Sequence, residues 1–132
     1  MKQYLSWVVF AVILAAIIGG MAWYASGPGQ YDTFATCIKD SGATFWGAWW
    51  CPHCKEQKAL FGKSAALLPY HECSDPGGQN QLGDCAANKI ESYPTWDFKS
   101  RTGAATTTRK TGALTLAELA SFTGCPLAKD SR

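Results

Sequence analysis

The sequence predicts an α/β domain preceded by one N-terminal transmembrane helix. An uncharged apolar run covers Trp7–Tyr24 and is long enough to cross a bilayer core of about 30 Å. Beyond it, helical and strand patterns alternate in the order αβα–βα–ββα, which favours a central mixed sheet flanked by helices. We therefore divide the 132 residues into an anchor at 1–25, a short linker at 26–30 and one domain at 31–132.

The residues around the apolar run predict its orientation. Lys2 precedes the run, and no basic residue follows it until Lys39, so the positive-inside rule places the N-terminus in the cytoplasm. A cleaved signal peptide is the alternative, but Trp23 and Tyr24 occupy the exit, where a cleavage site needs small residues. We expect an uncleaved membrane anchor and an extracytoplasmic domain, in the periplasm or on the outer face of the cell membrane.

Apolar patterning, glycines and prolines define the elements of the domain. A short helix ends at Gly42, and the apolar run 43–50 predicts a strand buried on both faces. A helix then runs from Cys51 to about Leu68 and ends before Pro69. The remaining predicted elements are a strand at 69–73, a polar loop at 74–84, a short helix at 82–90, strands at 93–99 and 106–112 with a turn around Arg101–Gly103, and a final helix capped by Thr115 and Glu118.

The composition restricts the class of function. The net charge is only +2, so there is no electrostatic case for nucleic-acid binding. All six cysteines lie after the anchor. An even number of cysteines in an exported chain favours disulfides over metal sites.

Cys51 and Cys54 are separated only by Pro52 and His53, and three interpretations compete for them. A zinc site would recruit His71 and Cys73, which are acceptable ligand types, but it leaves two cysteines unexplained. A structural staple is disfavoured because so small a ring constrains the unfolded chain little. The third interpretation is a redox-active dithiol.

The placement of the pair favours the redox interpretation. A hydrophobic strand leads to Cys51, where a helix begins and its free N–H groups and dipole favour a thiolate. The pKa of Cys51 is therefore expected to fall, whereas Cys54, one turn further, is expected to be the shielded resolving thiol. His53 is expected to add positive charge beside Cys51 and to make the disulfide more oxidising.

Two motifs carry a resemblance to a known family. The stretches "WCPHC" and, some 40 residues later, "YPTW" resemble the thioredoxin superfamily from Tyr31 to about Leu127. The resemblance implies a thioredoxin-like fold in which Pro94 is cis and faces the dithiol, and in which Tyr93 offers backbone groups to a substrate strand. The acid that thioredoxins bury six residues before the first cysteine is replaced here by Phe45, and the sequence offers no obvious substitute.

A narrower resemblance rests on longer stretches. The chain is similar to the thioredoxin-like domains fused to or paired with bacterial vitamin K epoxide reductase homologues, through "GAWWCPHCKEQKALFGKSA", "PYHECS" with a later Cys85, "YPTWDF" and "LTLAELASFTGC". The motif CPHC alone is less specific, since DsbA-type oxidases share it. Because the chain has no four-helix reductase portion, we expect a stand-alone, membrane-tethered partner of such an enzyme.

The resemblance implies a thiol-disulfide oxidoreductase that oxidises the cysteine thiols of client proteins. A membrane-embedded, quinone-linked enzyme of the vitamin K epoxide reductase or DsbB type would recharge it, and no metal or cofactor is expected. The alternatives are an extracytoplasmic reductase or isomerase, and a thioredoxin-like binding or chaperone module whose dithiol does not turn over.

The other four cysteines allow three pairings. Cys73 and Cys85 flank the polar loop, whose low apolar content would leave it disordered without a bridge, so we favour a disulfide between them. That choice leaves Cys37 to pair with Cys125 and to join the first and last helices of the domain. A relay role for Cys73–Cys85, passing electrons to or from the active pair, is a further alternative.

Overall fold

The structure is a computed structural model, and it describes residues 2–100 and 107–130. The predicted turn around Arg101–Gly103 lies outside the described residues. In chain order the elements are α1 (Lys2–Ser26), α2 (Asp32–Asp40), β1 (Thr44–Gly47), α3 (Pro52–Ala59), a 3₁₀ helix (Gly62–Leu67), β2 (Tyr70–Glu72), α4 (Gly83–Ala87), β3 (Thr95–Lys99), β4 (Thr107–Thr111) and α5 (Leu116–Thr123).

The four strands form one mixed sheet in the order β2-β1-β3-β4. Strand β1 is parallel to β2 and antiparallel to β3, and β3 is antiparallel to β4. The parallel pair requires a crossover connection, and α3 with the 3₁₀ helix provides it. The mixed α/β class predicted from the sequence is therefore confirmed. Cys51, the first cysteine of the CPHC motif, lies shortly after the inner strand β1.

Aromatic side chains form the centre of the core. Phe45 of β1 stacks on Trp96 of β3 at a ring-centroid distance of 4.6 Å, and Trp96 stacks in turn on Phe98. Phe98 contacts Phe122 of α5 at 5.0 Å. This column of rings attaches the C-terminal helix to the strands that carry the candidate site.

The helix after Cys51 is shorter than predicted. We expected it to reach about Leu68, but α3 ends at Ala59 and the chain continues as the 3₁₀ helix Gly62–Leu67. Gly62 has a φ of 54°, a left-handed conformation that residues other than glycine rarely adopt. The change of helix type follows from this residue, and Pro69 then begins the extended segment into β2 as expected.

The predicted strand at 43–50 is also shorter, since β1 ends at Gly47. Trp49 and Trp50 lie in the turn that follows and are about half exposed. Their indole N–H groups hold them there: Trp49 Nε1 donates to the carbonyl oxygen of Asp75 at 3.1 Å, and Trp50 Nε1 donates to Ser74 Oγ at 2.9 Å. The apolar run therefore combines a buried strand with two ring side chains that hold the polar loop.

Two disulfides are present, and they are the pairings that the sequence favours. Cys37 is bonded to Cys125, and Cys73 is bonded to Cys85. The first bridge joins α2 to the segment that follows α5. Helices α2 and α5 contact each other and contribute to the same hydrophobic core. The second bridge closes the polar loop and lies in a smaller core with Trp46 and Ile90.

Helix α1 covers the predicted apolar run. Its segment Tyr4–Ser26 has a mean hydropathy of 2.4, is not buried against the domain, and is long and apolar enough to cross a membrane. This helix could anchor the chain in a bilayer, although a signal sequence near an N-terminus has the same character.

The final helix begins with the capping box that the sequence predicts. Thr115 Oγ1 accepts a hydrogen bond from the Glu118 backbone N–H, and the Glu118 carboxylate accepts one from the Thr115 backbone N–H. Thr115→Ala removes the first of these bonds and should lower the free energy of unfolding by about 1 kcal/mol, measured by urea denaturation. Thr115→Ser keeps the hydroxyl and should lose clearly less stability; equal losses for both variants would show that the cap does not stabilise the helix.

Candidate active site

Cys51 and Cys54 lie at the N-terminus of α3, and both are free thiols. Cys51 is the residue that caps the helix, and Pro52 occupies the first helical position, where its missing N–H costs nothing. Cys51 is 5% exposed and Cys54 only 1%. Both residues are therefore buried, and the one at the end of the helix is slightly more exposed.

The Tyr93–Pro94 peptide bond is cis, and it lies beside the first cysteine. Cys51 Sγ contacts the carbonyl oxygen of Tyr93 at 3.6 Å, where the thiol can donate a weak hydrogen bond. Pro94 is fully buried, and its own carbonyl accepts a hydrogen bond from Gly112 N at 2.8 Å. The structure thus brings Cys51 beside the Tyr93–Pro94 peptide, which begins 42 residues later in the sequence.

The Cys54 thiol is in a different environment from that of Cys51. Burial raises the pKa of Cys54 to about 12, although a backbone hydrogen bond with Ala48 and the positive charge of Lys58 act in the opposite direction. At neutral pH the thiol of Cys54 is protonated. This property suits a resolving thiol, which must remain inactive until Cys51 has formed a bond to a client.

His53 lies on the solvent side of the helix start. Its side chain is 67% exposed, and its Nδ1 lies 3.0 Å from Glu56 Oε2. A carboxylate from the next turn therefore faces the imidazole of His53, a partner that was not predicted from the sequence. Any influence of His53 on Cys51 acts across the helix terminus rather than through a direct contact.

Helix α3 is fixed to the rest of the domain by a fully buried glutamine. Gln57 Nε2 donates to the carbonyl oxygen of Leu114 at 3.0 Å, and Gln57 Oε1 accepts from Leu114 N at 2.7 Å. The same oxygen lies 3.4 Å from Trp96 Nε1. These contacts join the dithiol helix to the central strand and to the segment before α5, so they position both cysteines.

A polar cluster on β2 and α3 reaches Cys54, and sequence reasoning missed it. Lys58 Nζ lies 3.2 Å from the centroid of the Tyr70 ring, and Tyr70 OH donates to Glu72 Oε2 at 2.8 Å. Glu72 Oε1 accepts from Trp49 N at 3.1 Å and from Ser74 N at 3.0 Å. Phe45 of β1 is fully buried, and the charged groups that act on Cys54 and Tyr70 come from α3 and β2.

The polar loop forms one wall of a groove next to Tyr93. The groove has a volume of about 470 Å³ and is lined by residues that include Trp50, Gln81, Ile90 and Tyr93. Trp50 and Tyr93 are in edge-to-face contact at 6.1 Å. An extended peptide that meets Cys51 beside Tyr93 would find this groove within reach of its neighbouring side chains.

The structure does not assemble the zinc site that the sequence left open. Cys73 is bonded to Cys85, so neither offers a thiolate to a metal ion. His71 instead pairs with Asp84, on the face of the sheet that carries the second disulfide. Although His71, Asp84 and Cys85 lie within 4.8 Å of one another, the sulfur in this group is already bonded.

A comparison with known proteins identifies a relative that is named for thiol-disulfide chemistry. Over 94 residues, or 68% of the chain, the sequence is 42% identical to the thiol-disulfide oxidoreductase LTO1 of Arabidopsis thaliana. The chain is similar to a redox enzyme. This similarity supports a thiol-disulfide oxidoreductase family, although the chain spans only 23% of the length of that relative. No protein-family model matches the chain.

Proposed function

We propose that the chain is a membrane-tethered, extracytoplasmic thiol-disulfide oxidoreductase that oxidises client protein thiols through Cys51 and Cys54. The observation that carries the proposal is the position of Cys51 at the start of α3, with its sulfur 3.6 Å from the carbonyl oxygen that precedes a cis-proline. A thiol at a helix N-terminus is the usual environment of a reactive cysteine. The relative LTO1 is itself named as a thiol-disulfide oxidoreductase.

We further propose that the fold is thioredoxin-like. The proposal is supported by the strand order β2-β1-β3-β4 with its single parallel pair. It is also supported by the position of the dithiol between β1 and α3, and by a cis-proline immediately before β3. In this proposal a client segment pairs with the backbone of Tyr93, whose carbonyl oxygen lies 3.6 Å from the sulfur of Cys51.

The oxidising cycle can be written on these atoms. A client thiolate attacks Cys51 Sγ in the oxidised protein, a new client–Cys51 disulfide forms, and the Cys51–Cys54 bond breaks with its electron pair on Cys54. A second client thiolate then attacks the client sulfur of the mixed disulfide, and Cys51 leaves as a thiolate. The client gains a disulfide, and the two electrons remain on the reduced pair.

A membrane enzyme must remove those electrons if the cycle is to repeat. We propose a quinone-linked partner of the vitamin K epoxide reductase or DsbB type, in line with the resemblance of the sequence. Helix α1 supports this proposal because an anchor in the same bilayer raises the local concentration of the dithiol near such a partner without new contacts. In this arrangement the N-terminus is cytoplasmic and the domain is extracytoplasmic.

The test is the oxidation of a reduced dithiol peptide by the full chain in detergent. Stoichiometric oxidised protein should convert the peptide to its disulfide, and Cys51→Ala should abolish the reaction. If wild-type protein reduces an insulin disulfide readily but does not oxidise the peptide, the reductase or isomerase alternative is favoured. If it does neither, a binding module without turnover is favoured.

His53 offers a prediction about the potential of the pair. His53→Ala removes an imidazole that, when protonated, places a positive charge near the Cys51 thiolate, so the reduced form should be less stable and the disulfide less oxidising. The nearby Glu56 already balances part of that charge, so we expect a fall in reduction potential of only about 10–20 mV, measured by equilibration with glutathione. His71→Ala is the matched control and should leave the reduction potential unchanged. An equal shift in both variants would show that His53 has no specific effect on the potential of the pair.

A further inference from the structure

The buried Cys54 thiol faces a charged cluster that the proposed cycle has not yet used. Lys58 lies four residues after Cys54, so both side chains are on the same face of α3. Lys58 is only partly exposed, and its ammonium group lies over the ring of Tyr70 on the neighbouring strand β2. The cluster of Lys58, Tyr70 and Glu72 is therefore built from two elements that meet beside the dithiol.

Gly47 brings this cluster close to the sulfur. A Cβ atom at position 47 would lie 2.6 Å from Tyr70 Cε2 and 3.0 Å from Cys54 Sγ. The first distance is shorter than any contact that real Cβ atoms make, and the second is tighter than most. The Tyr70 ring and the Cys54 thiol therefore lie on either side of a position that has no room for a side chain. The absence of a side chain at Gly47 lets the edge of the cluster reach the resolving thiol.

Glu72 holds the cluster in place. Its two carboxylate oxygens accept hydrogen bonds from Tyr70 OH, Trp49 N and Ser74 N. Burial lowers the pKa of Lys58, while the charges of Glu72 and of an ionised Cys54 favour its ammonium form. The lysine therefore carries a positive charge most readily when Cys54 carries a negative one.

We propose that Lys58, held over Tyr70 and opposite Glu72, supplies the positive charge that stabilises the Cys54 thiolate during disulfide exchange. The inference rests on the proposed thiol-disulfide function and assigns the role of a positioned counter-charge within it.

The charge acts at a defined step in each direction. When a client thiolate attacks Cys51 Sγ, the Cys51–Cys54 bond breaks, its electron pair stays on Cys54, and the new thiolate forms beside Lys58 before it takes a proton from solvent. In the reverse direction the Cys54 thiol loses its proton to a solvent base. The thiolate then attacks Cys51 Sγ, and the bound thiol leaves as a thiolate.

The test follows this second direction in a single turnover. The reduced 132-residue chain in detergent is treated with one equivalent of 5,5′-dithiobis(2-nitrobenzoate). Attack by Cys51 loads one thionitrobenzoate on its sulfur and releases a first coloured thiolate, and attack by Cys54 then releases a second. The rate of this release is measured by stopped-flow absorbance as a function of pH. The titratable groups that face Lys58 are Cys54 on α3 and Tyr70 and Glu72 on β2, and Cys51 lies beyond them.

Lys58→Met should slow the release about tenfold at neutral pH, because one opposite charge near a thiol changes its thiolate fraction by about that factor. The pH profile should move to higher pH, since Cys54 ionises later without the cation. Lys58→Gln, which keeps a polar side chain, should show the same shift. Lys58→Arg retains the charge and should stay close to wild type.

Lys55→Met is the matched control, because it removes the same charge from an exposed position directly after Cys54. It should leave both the rate and the pH profile unchanged. If Lys58→Met and Lys58→Gln give the same profile as Lys55→Met, the role of Lys58 is refuted although the dithiol works. If wild-type protein never releases the second thiolate, the proposed function fails, and this outcome is distinct from the first.

Discussion

Replacing Cys54 with alanine is expected to trap Cys51 in long-lived mixed disulfides. When reduced protein meets an oxidised client or oxidised glutathione, Cys51 can still attack and form the intermolecular bond. In the wild type the resolving residue, Cys54, is only 1% exposed. In the variant no neighbouring sulfur can complete the exchange. Most of the variant should therefore migrate as an adduct on a non-reducing gel, while wild type shows little.

Cys51→Ala is the control for this experiment. The thiol that remains, Cys54, is buried, and burial raises its pKa to about 12, so it is a poor nucleophile at neutral pH. We expect no adduct. If Cys51→Ala accumulates mixed disulfides and Cys54→Ala does not, the roles of the two cysteines are reversed. If neither does, the dithiol is not the working site and the binding-module alternative gains.

The second large effect concerns the Cys37–Cys125 bridge. Its cysteines are 88 residues apart in sequence, against 12 for Cys73–Cys85. In the chain-entropy picture a longer closed loop restricts the unfolded state more, so the bridges contribute about 4–5 and about 3 kcal/mol. Replacing Cys37 and Cys125 together by alanine should therefore lower the free energy of unfolding more than replacing Cys73 and Cys85.

Urea denaturation followed by tryptophan fluorescence measures both losses under non-reducing conditions. A larger loss for the Cys73 and Cys85 pair would contradict this ranking.

Peptide mapping of the wild type without reductant tests the connectivity itself, and a Cys37–Cys73 peptide would refute the whole scheme. Both Cys73 and Cys85 are fully buried, which favours a structural bridge over a relay; loss of peptide oxidation on replacing this pair, with the fold retained, would favour the relay.

Local sequence patterns predicted much of the fold. The order of helices and strands follows from apolar periodicity, from Gly42 and Pro69, and from the capping pattern at Thr115. These signals act over a few residues, so they are visible in one sequence. The favoured disulfides also agree with the structure, because the polar loop between Cys73 and Cys85 has a composition that needs a covalent closure.

The predicted and observed elements differ where tertiary contacts determine the backbone conformation. The apolar character of Trp49 and Trp50 suggested a buried strand, but their indole N–H groups bind the polar loop, which lies about 25 residues later in the chain. The helix predicted from Cys51 to about Leu68 includes Gly62, which adopts a positive φ where the 3₁₀ helix begins. Neither outcome can be read from local propensity.

The candidate site shows the same division. The dithiol and the cis-proline were visible as motifs, but the cluster around Cys54 was not. Lys58 and Glu72 have the composition of a solvated helix face and a strand edge, and only the parallel pairing of β1 with β2 brings them together. The spacing of four residues between Cys54 and Lys58 was the one available signal of a contact between them. It indicates a cluster only when the position of β2, with Tyr70 and Glu72, is known.

The measurement that tests the oxidase proposal most directly is the reduction potential of the Cys51–Cys54 pair. The full chain in detergent is equilibrated with defined ratios of reduced and oxidised glutathione, and the fraction of free thiols is quantified by alkylation and mass spectrometry. We predict a potential of about −180 mV or higher, in the range of protein disulfide isomerase and DsbA. A value near about −270 mV, that of thioredoxin, would contradict the proposal and identify the chain as a reductase.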